Sequence, residues 1–98
     1  MNDNHYPTVD ADFILDQIRS SPKINKESEM QVGSTYAFIL KGDKPIYKSQ
    51  VFVRLKDNQV TYMEATALAI RLGFMTELLD WLELHRNWKD GAYFIPGA

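Results

Sequence analysis

Glu77, Asp80 and Glu83 recur at every third residue, and no Lys or Arg interrupts them between Thr76 and His85. On a helix this spacing lines up carboxylates along one face, opposite Leu78, Leu79 and Leu82. Two readings follow from such a stripe. It is either a solvated face that keeps a small domain soluble, or an acidic patch that engages a basic partner such as another protein's DNA-binding surface. Trp81 stands beside it, as a core residue or as an interface anchor. A second cluster has the opposite sign. Lys48, Phe52, Arg54 and Lys56 alternate along one stretch, with Lys41 and Lys44 close by. Bases interleaved with an aromatic on a strand could lie against single-stranded nucleic acid, since the ring stacks and the cations meet phosphates. The alternative is a solvated strand face with Phe52 covered by an N-terminal helix.

Catalytic chemistry finds little to work with. His5 and His85 have no acid and nucleophile at a diagnostic spacing, and serines 20, 21, 28, 34 and 49 sit in no elbow motif. Phosphate-binding glycine motifs are absent from the sequence. Two distant histidines without a cysteine make a poor metal set. Asp43, Asp57 and Glu64 could converge on a magnesium ion, but turn chemistry already explains the first two. The expectation is a protein that is not an enzyme and uses no cofactor or metal.

The 98 residues suit one domain, spanning positions 1–98, and 45% hydrophobic content is that of an ordinary folded chain. With no cysteine, there is no disulfide framework and no thiolate chemistry, as in a reducing compartment. No secretory signal is visible in Met1–Pro7, and no window approaches the roughly 18 apolar residues of a membrane span. These features predict a cytoplasmic protein. Net charge is −2, which argues against a coat for nucleic acid. Its distribution says more than its sum. Five bases against Asp43 between Lys41 and Lys56 separate two acidic flanks, Met1–Pro22 and Glu64–Arg86.

Stepping along the chain gives the elements that must position these residues. Asp10 to Ser20 predicts a helix: Asp10 can cap it, Asp12 suits its positive end, and Ala11, Ile14, Leu15 and Ile18 share a face that Phe13 widens. Ser20-Ser21-Pro22 ends it. Residues 1–9 read as frayed, and 23–33 as a connecting loop. From Ser34 the period changes to two, giving a strand through Tyr36, Phe38 and Leu40 that is buried substantially on both sides. Gly42-Asp43-Lys44-Pro45 is a turn. A second strand follows with Tyr47, Ser49, Val51, Val53 and Leu55 on one face. Asp57-Asn58 turns the chain into a short strand, Gln59–Met63, completing an antiparallel meander. Two helices come next, from Glu64 to about Arg86, and Ala92–Ile95 is a last strand. The expected class is α+β, a small three- to four-stranded antiparallel sheet with an N-terminal helix and a C-terminal helix pair.

Ala69 and Gly73, four residues apart, supply the small crossing residue and the turn residue that tolerates positive φ. Leu68, Leu72, Phe74, Leu79 and Leu82 stand where a locked helix pair needs apolar contacts. Ala65 to His85 therefore resembles a helix-turn-helix, while a helix ending at Gly73 followed by a second packed helix accounts for the same residues. Arg86 to Ile95 looks like the wing hairpin of winged-helix modules, and the C-terminal domains of phage antirepressors are similar. The resemblance implies DNA binding through the second helix. The charges oppose it, because a recognition helix presents Arg, Lys, Asn or Gln to bases, and Glu77, Asp80 and Glu83 would be repelled by phosphates.

The functional expectation is a non-enzymatic regulator or inhibitor, of the phage and mobile-element accessory type. It would bind a partner protein through Glu77, Asp80, Trp81 and Glu83. One alternative is a DNA-binding module using Arg71, Arg86 and Lys89 with the basic strand. Another is a homo-oligomer pairing the Ala92–Ile95 or Tyr36–Leu40 strand across a two-fold axis.

Overall fold

A computed structural model describes residues 8–42 and 50–85. The element order is β1 (Thr8–Asp10), α1 (Ala11–Ser20), β2 (Ile24–Val32), β3 (Thr35–Leu40), β4 (Gln50–Arg54), β5 (Gln59–Thr61), α2 (Tyr62–Leu72) and α3 (Met75–His85). The fold is α+β, with an N-terminal helix, a C-terminal helix pair and two antiparallel sheets. One sheet pairs β1 with β5, and the other runs β2-β3-β4.

Helix α1 buries Ala11, Ile14, Leu15 and Ile18, the face its spacing predicts. Asp10 precedes it but makes no side-chain cap. Its carboxylate instead accepts from Gln59 Nε2 at 2.6 Å, while the Ala11 amide donates to the Asn58 carbonyl at 3.1 Å. The orphan donor is thus met by the neighbouring turn. At the other end the Ser21 amide donates to the Ile18 carbonyl, and the Ser21 hydroxyl accepts from the Lys23 amide at 3.2 Å.

The segment read as a connecting loop, 23–33, is instead a strand. β2 pairs antiparallel with β3, from Ile24 opposite Leu40 to Val32 opposite Thr35, with a register shift between Asn25 and Met30. Inside that irregularity Ser28 Oγ donates to the Asn25 carbonyl and accepts from the Ile39 amide at 2.8 Å. A side chain therefore replaces a missing rung of the ladder. The strand lies at the sheet edge, where backbone pairing holds it without an alternating apolar pattern.

The meander also differs from expectation. Its three strands are β2, β3 and β4, while β5 leaves to pair with β1, Val60 opposite Val9. Asp57 and Asn58, at φ +53° and +65°, form the two-residue turn that redirects the chain, closed by reciprocal Lys56–Gln59 backbone bonds of 2.9 Å. Thr8 and Val9, expected to fray, belong to this small sheet, and Val9 is fully buried. Tyr62 and Met63, read as the end of a strand, open α2. Thr61 caps that helix by accepting from the Glu64 amide at 3.2 Å.

One core joins the elements. Phe38, Val51 and Val53 on the inner face of β3 and β4 pack with Ile14 and Ile18 of α1, and with Tyr62, Ala65, Ala69, Leu78 and Leu82 of the helix pair. Gly73 ends α2 at φ +82°, its amide donating to the Ala69 carbonyl at 2.7 Å. A β-carbon there would meet nothing within 4 Å, so crowding plays no part in the choice of glycine. Gly73→Ala should cost about 1–2 kcal/mol from the left-handed dihedral alone, read as a lower urea midpoint. A fully unchanged midpoint would mean the chain turns there by another geometry. The turn at 43–45, residues 47–49 of the second predicted strand and the strand at 92–95 lie outside the described residues.

Candidate functional site, the outer face of the second paired helix

Helix α3 is eleven residues long and buries Leu78, Trp81 and Leu82. On its other side Thr76, Glu77, Asp80, Glu83 and Leu84 are exposed. At 100° per residue, Glu77, Asp80 and Leu84 fall within a sector of about 60°, and Glu83 flanks it. Leu84 is 79% exposed. The site therefore combines carboxylates with a bare leucine on one face, and sequence spacing had drawn attention to the carboxylates alone. The signal for Leu84 was available. It stands seven residues after Glu77 and four after Asp80, off the face that holds Leu78 and Leu82.

The Trp81 ring is buried rather than open on this face. It is 8% exposed and stacked between Phe13 of α1, at 5.5 Å between centroids, and His85, at 4.1 Å. His85 lies with Nδ1 2.9 Å from the Trp81 carbonyl oxygen. In the tautomer carrying a proton on Nδ1, the ring donates to that carbonyl and holds the stack in place. Trp81 thus ties α3 to α1 and sets the direction in which the acidic face looks.

Arg19 and Glu29 form an ion pair at 2.7 Å that joins α1 to β2. The Arg19 hydrogen bond holds the Glu29 carboxyl below its ordinary range. Both side chains are substantially exposed, so solvent screening limits such a pair to about 0.2–1 kcal/mol.

The basic cluster is placed as follows. Lys48 lies outside the described residues, while Phe52, Arg54 and Lys56 are exposed. Phe52 was expected beneath the N-terminal helix. It is 51% exposed instead, because α1 packs on the inner face carrying Val51 and Val53, and alternation turns Phe52 away. Pairing in register extends this outer face as a row Met30–Ala37–Phe52 and a second row Val32–Thr35–Arg54. Met30 and Val32 are 61% and 74% exposed. Neither was singled out from the sequence, because their segment lacked a strand pattern.

Helix α2 carries a further exposed apolar line, Met63, Ala67 and Ile70, at i, i+4 and i+7. Arg71 is exposed, and its carbonyl accepts from Lys23 Nζ at 3.4 Å. Arg86, Lys89 and His5 lie outside the described residues, as does Asp43. Among the described residues no three His, Cys, Asp or Glu side chains gather as a metal set. Likewise, no described helix is long and apolar enough to cross a membrane.

Comparison with known protein families, characterised proteins and solved structures finds no match for this chain.

Proposed function

We propose that this chain is a non-enzymatic regulatory or inhibitory protein that occupies a basic surface of a partner protein with the outer face of α3. The observation that carries this reading is Leu84, bare at 79% exposure and in line with Glu77 and Asp80. Leucine suits a helix wherever it stands, but set in line with two carboxylates it adds an apolar contact beside the charges. An interface gains apolar contact from the leucine at one end and charge selection from the acids at the other. The acids favour a basic partner and disfavour phosphates, which sets protein contact above DNA contact for this helix. A cysteine-free chain of net charge −2 is consistent with work in the cytoplasm, and its profile resembles that of phage and mobile-element accessory proteins.

Charge reversal tests the reading. Immobilised E77K/D80K protein should capture at least tenfold less of the partner from a lysate of the native host than wild type does, with the same thermal midpoint. Nucleic acid is scored in parallel. Equal capture by the two proteins would leave the acidic face as a solvated surface, and capture of nucleic acid alone would favour the DNA-binding alternative.

A further inference from the structure

We infer that the open face of the β2-β3-β4 sheet is a docking surface for a second copy of this chain, which presents the outer face of its α3. The contact would be head-to-tail. This goes beyond the partner-binding reading by assigning an occupant to the sheet face, and because that occupant docks with the α3 face proposed for the partner, one α3 makes one of the two contacts at a time.

The sheet face is unusual for its composition. Its three rows in register are Met30–Ala37–Phe52, Val32–Thr35–Arg54 and Asn25–Ile39–Gln50. Arg54 is the one charged residue among these nine, and Lys56 follows two positions later. Met30, Val32 and Phe52 are each more than half exposed. An apolar patch with basic residues at one end asks for a partner that is apolar at one end and acidic at the other.

The outer face of α3 has that composition in that order. Reading along the helix gives Glu77, Asp80, Leu84, and reading back from Lys56, just past the end of β4, gives Lys56, Arg54, Phe52. Residues three apart on a helix stand about 5–6 Å apart, and alternate strand residues about 6.4–6.8 Å. From Asp80 to Leu84 the helix rises about 6 Å, against about 6.6 Å from Arg54 to Phe52 along β4, and Lys56 lies just past the strand's end. The flexible Lys and Arg stems span the difference. Two acids and a leucine therefore meet two bases and a phenylalanine in matching sequence.

One molecule cannot make this contact with itself. The inner side of the sheet and the inner side of α3 face the same core, so their outer sides look away from it. Made once between two copies, such a contact is heterologous and propagates into open chains or closes as a ring.

Sedimentation velocity on the purified full chain tests this, from micromolar to millimolar protein at about 0.05 M salt and at about 1 M, where the Debye length is about 3 Å. Wild type should associate with rising concentration, and high salt should weaken that association at least tenfold. E77K/D80K and R54E/K56E should each stay monomeric. The chain carrying all four reversals should associate again, because both faces have exchanged sign. All four positions are exposed, and matched thermal midpoints show that each variant is folded.

A strictly monomeric wild type, association indifferent to either pair of reversals, or a four-fold variant that fails to reassociate would each overturn the inference. A monomeric wild type that shifts a labelled single-stranded oligonucleotide through Phe52 would overturn it too, assigning the face to nucleic acid. Partner capture is measured separately. A monomer that still captures a protein through Glu77 and Asp80 leaves the proposed function standing, while an assembling chain that captures none removes it.

Discussion

Replacing Trp81 with alanine is expected to lower the unfolding free energy by about 3–5 kcal/mol, the usual cost of emptying a large buried aromatic site. The indole is 8% exposed and sits between Phe13 and His85, so its removal opens a gap between α1 and α3. Leu78 and Leu82, both fully buried on the same helix, would lose part of their surroundings with it. A domain of this size has about 5–15 kcal/mol in total, so the loss is a large fraction of what holds it folded. Urea unfolding followed by circular dichroism measures the change, with the slope expected to stay constant. A loss below about 1 kcal/mol would return Trp81 to the surface as an interface anchor.

Three residues further on, the expected effect moves from stability to binding. Leu84→Ala should change the unfolding free energy by no more than about 0.5 kcal/mol, because the side chain is 79% exposed and alanine is a better helix former. The same substitution should weaken partner binding about tenfold, or about 1.4 kcal/mol, where Leu84 is the apolar contact of the proposed interface. Calorimetry or surface binding with the captured partner reads this directly. The pair of substitutions separates two jobs on one helix, with Trp81 holding α3 in place and Leu84 working from the side that α3 shows to solvent.

What the sequence made legible depends on how locally each element is determined. The buried face of α1 follows from the spacing of Ala11, Ile14, Leu15 and Ile18, and the joint at Gly73 from a residue that reaches φ +82° without penalty. The Asp57-Asn58 turn was likewise written in residue types that tolerate positive φ. The strands that escaped depend on distant partners. β1 holds one buried apolar residue, Val9, and exists because Val60 lies opposite it, 51 positions on. β2 buries Ile24 and little else, so its strand form rests on hydrogen bonds to β3 that no periodicity announces. Missing β2 also hid the sheet face, because Met30 and Val32 become part of a patch only when they stand beside Ala37 and Thr35. In the candidate site, the carboxylates were visible as a period of three. Trp81 was left between two roles until the helix it packs against was known.

The central claim is that the outer face of α3 is an electrostatic contact surface for a basic protein. The measurement that tests it most directly is the dissociation constant of the captured partner for wild type and for E77K/D80K, each followed across salt concentration. The account predicts wild-type affinity that falls as salt rises, and a variant bound at least tenfold more weakly at low salt with that dependence flattened or reversed. Equal constants with equal salt dependence for the two proteins would contradict it.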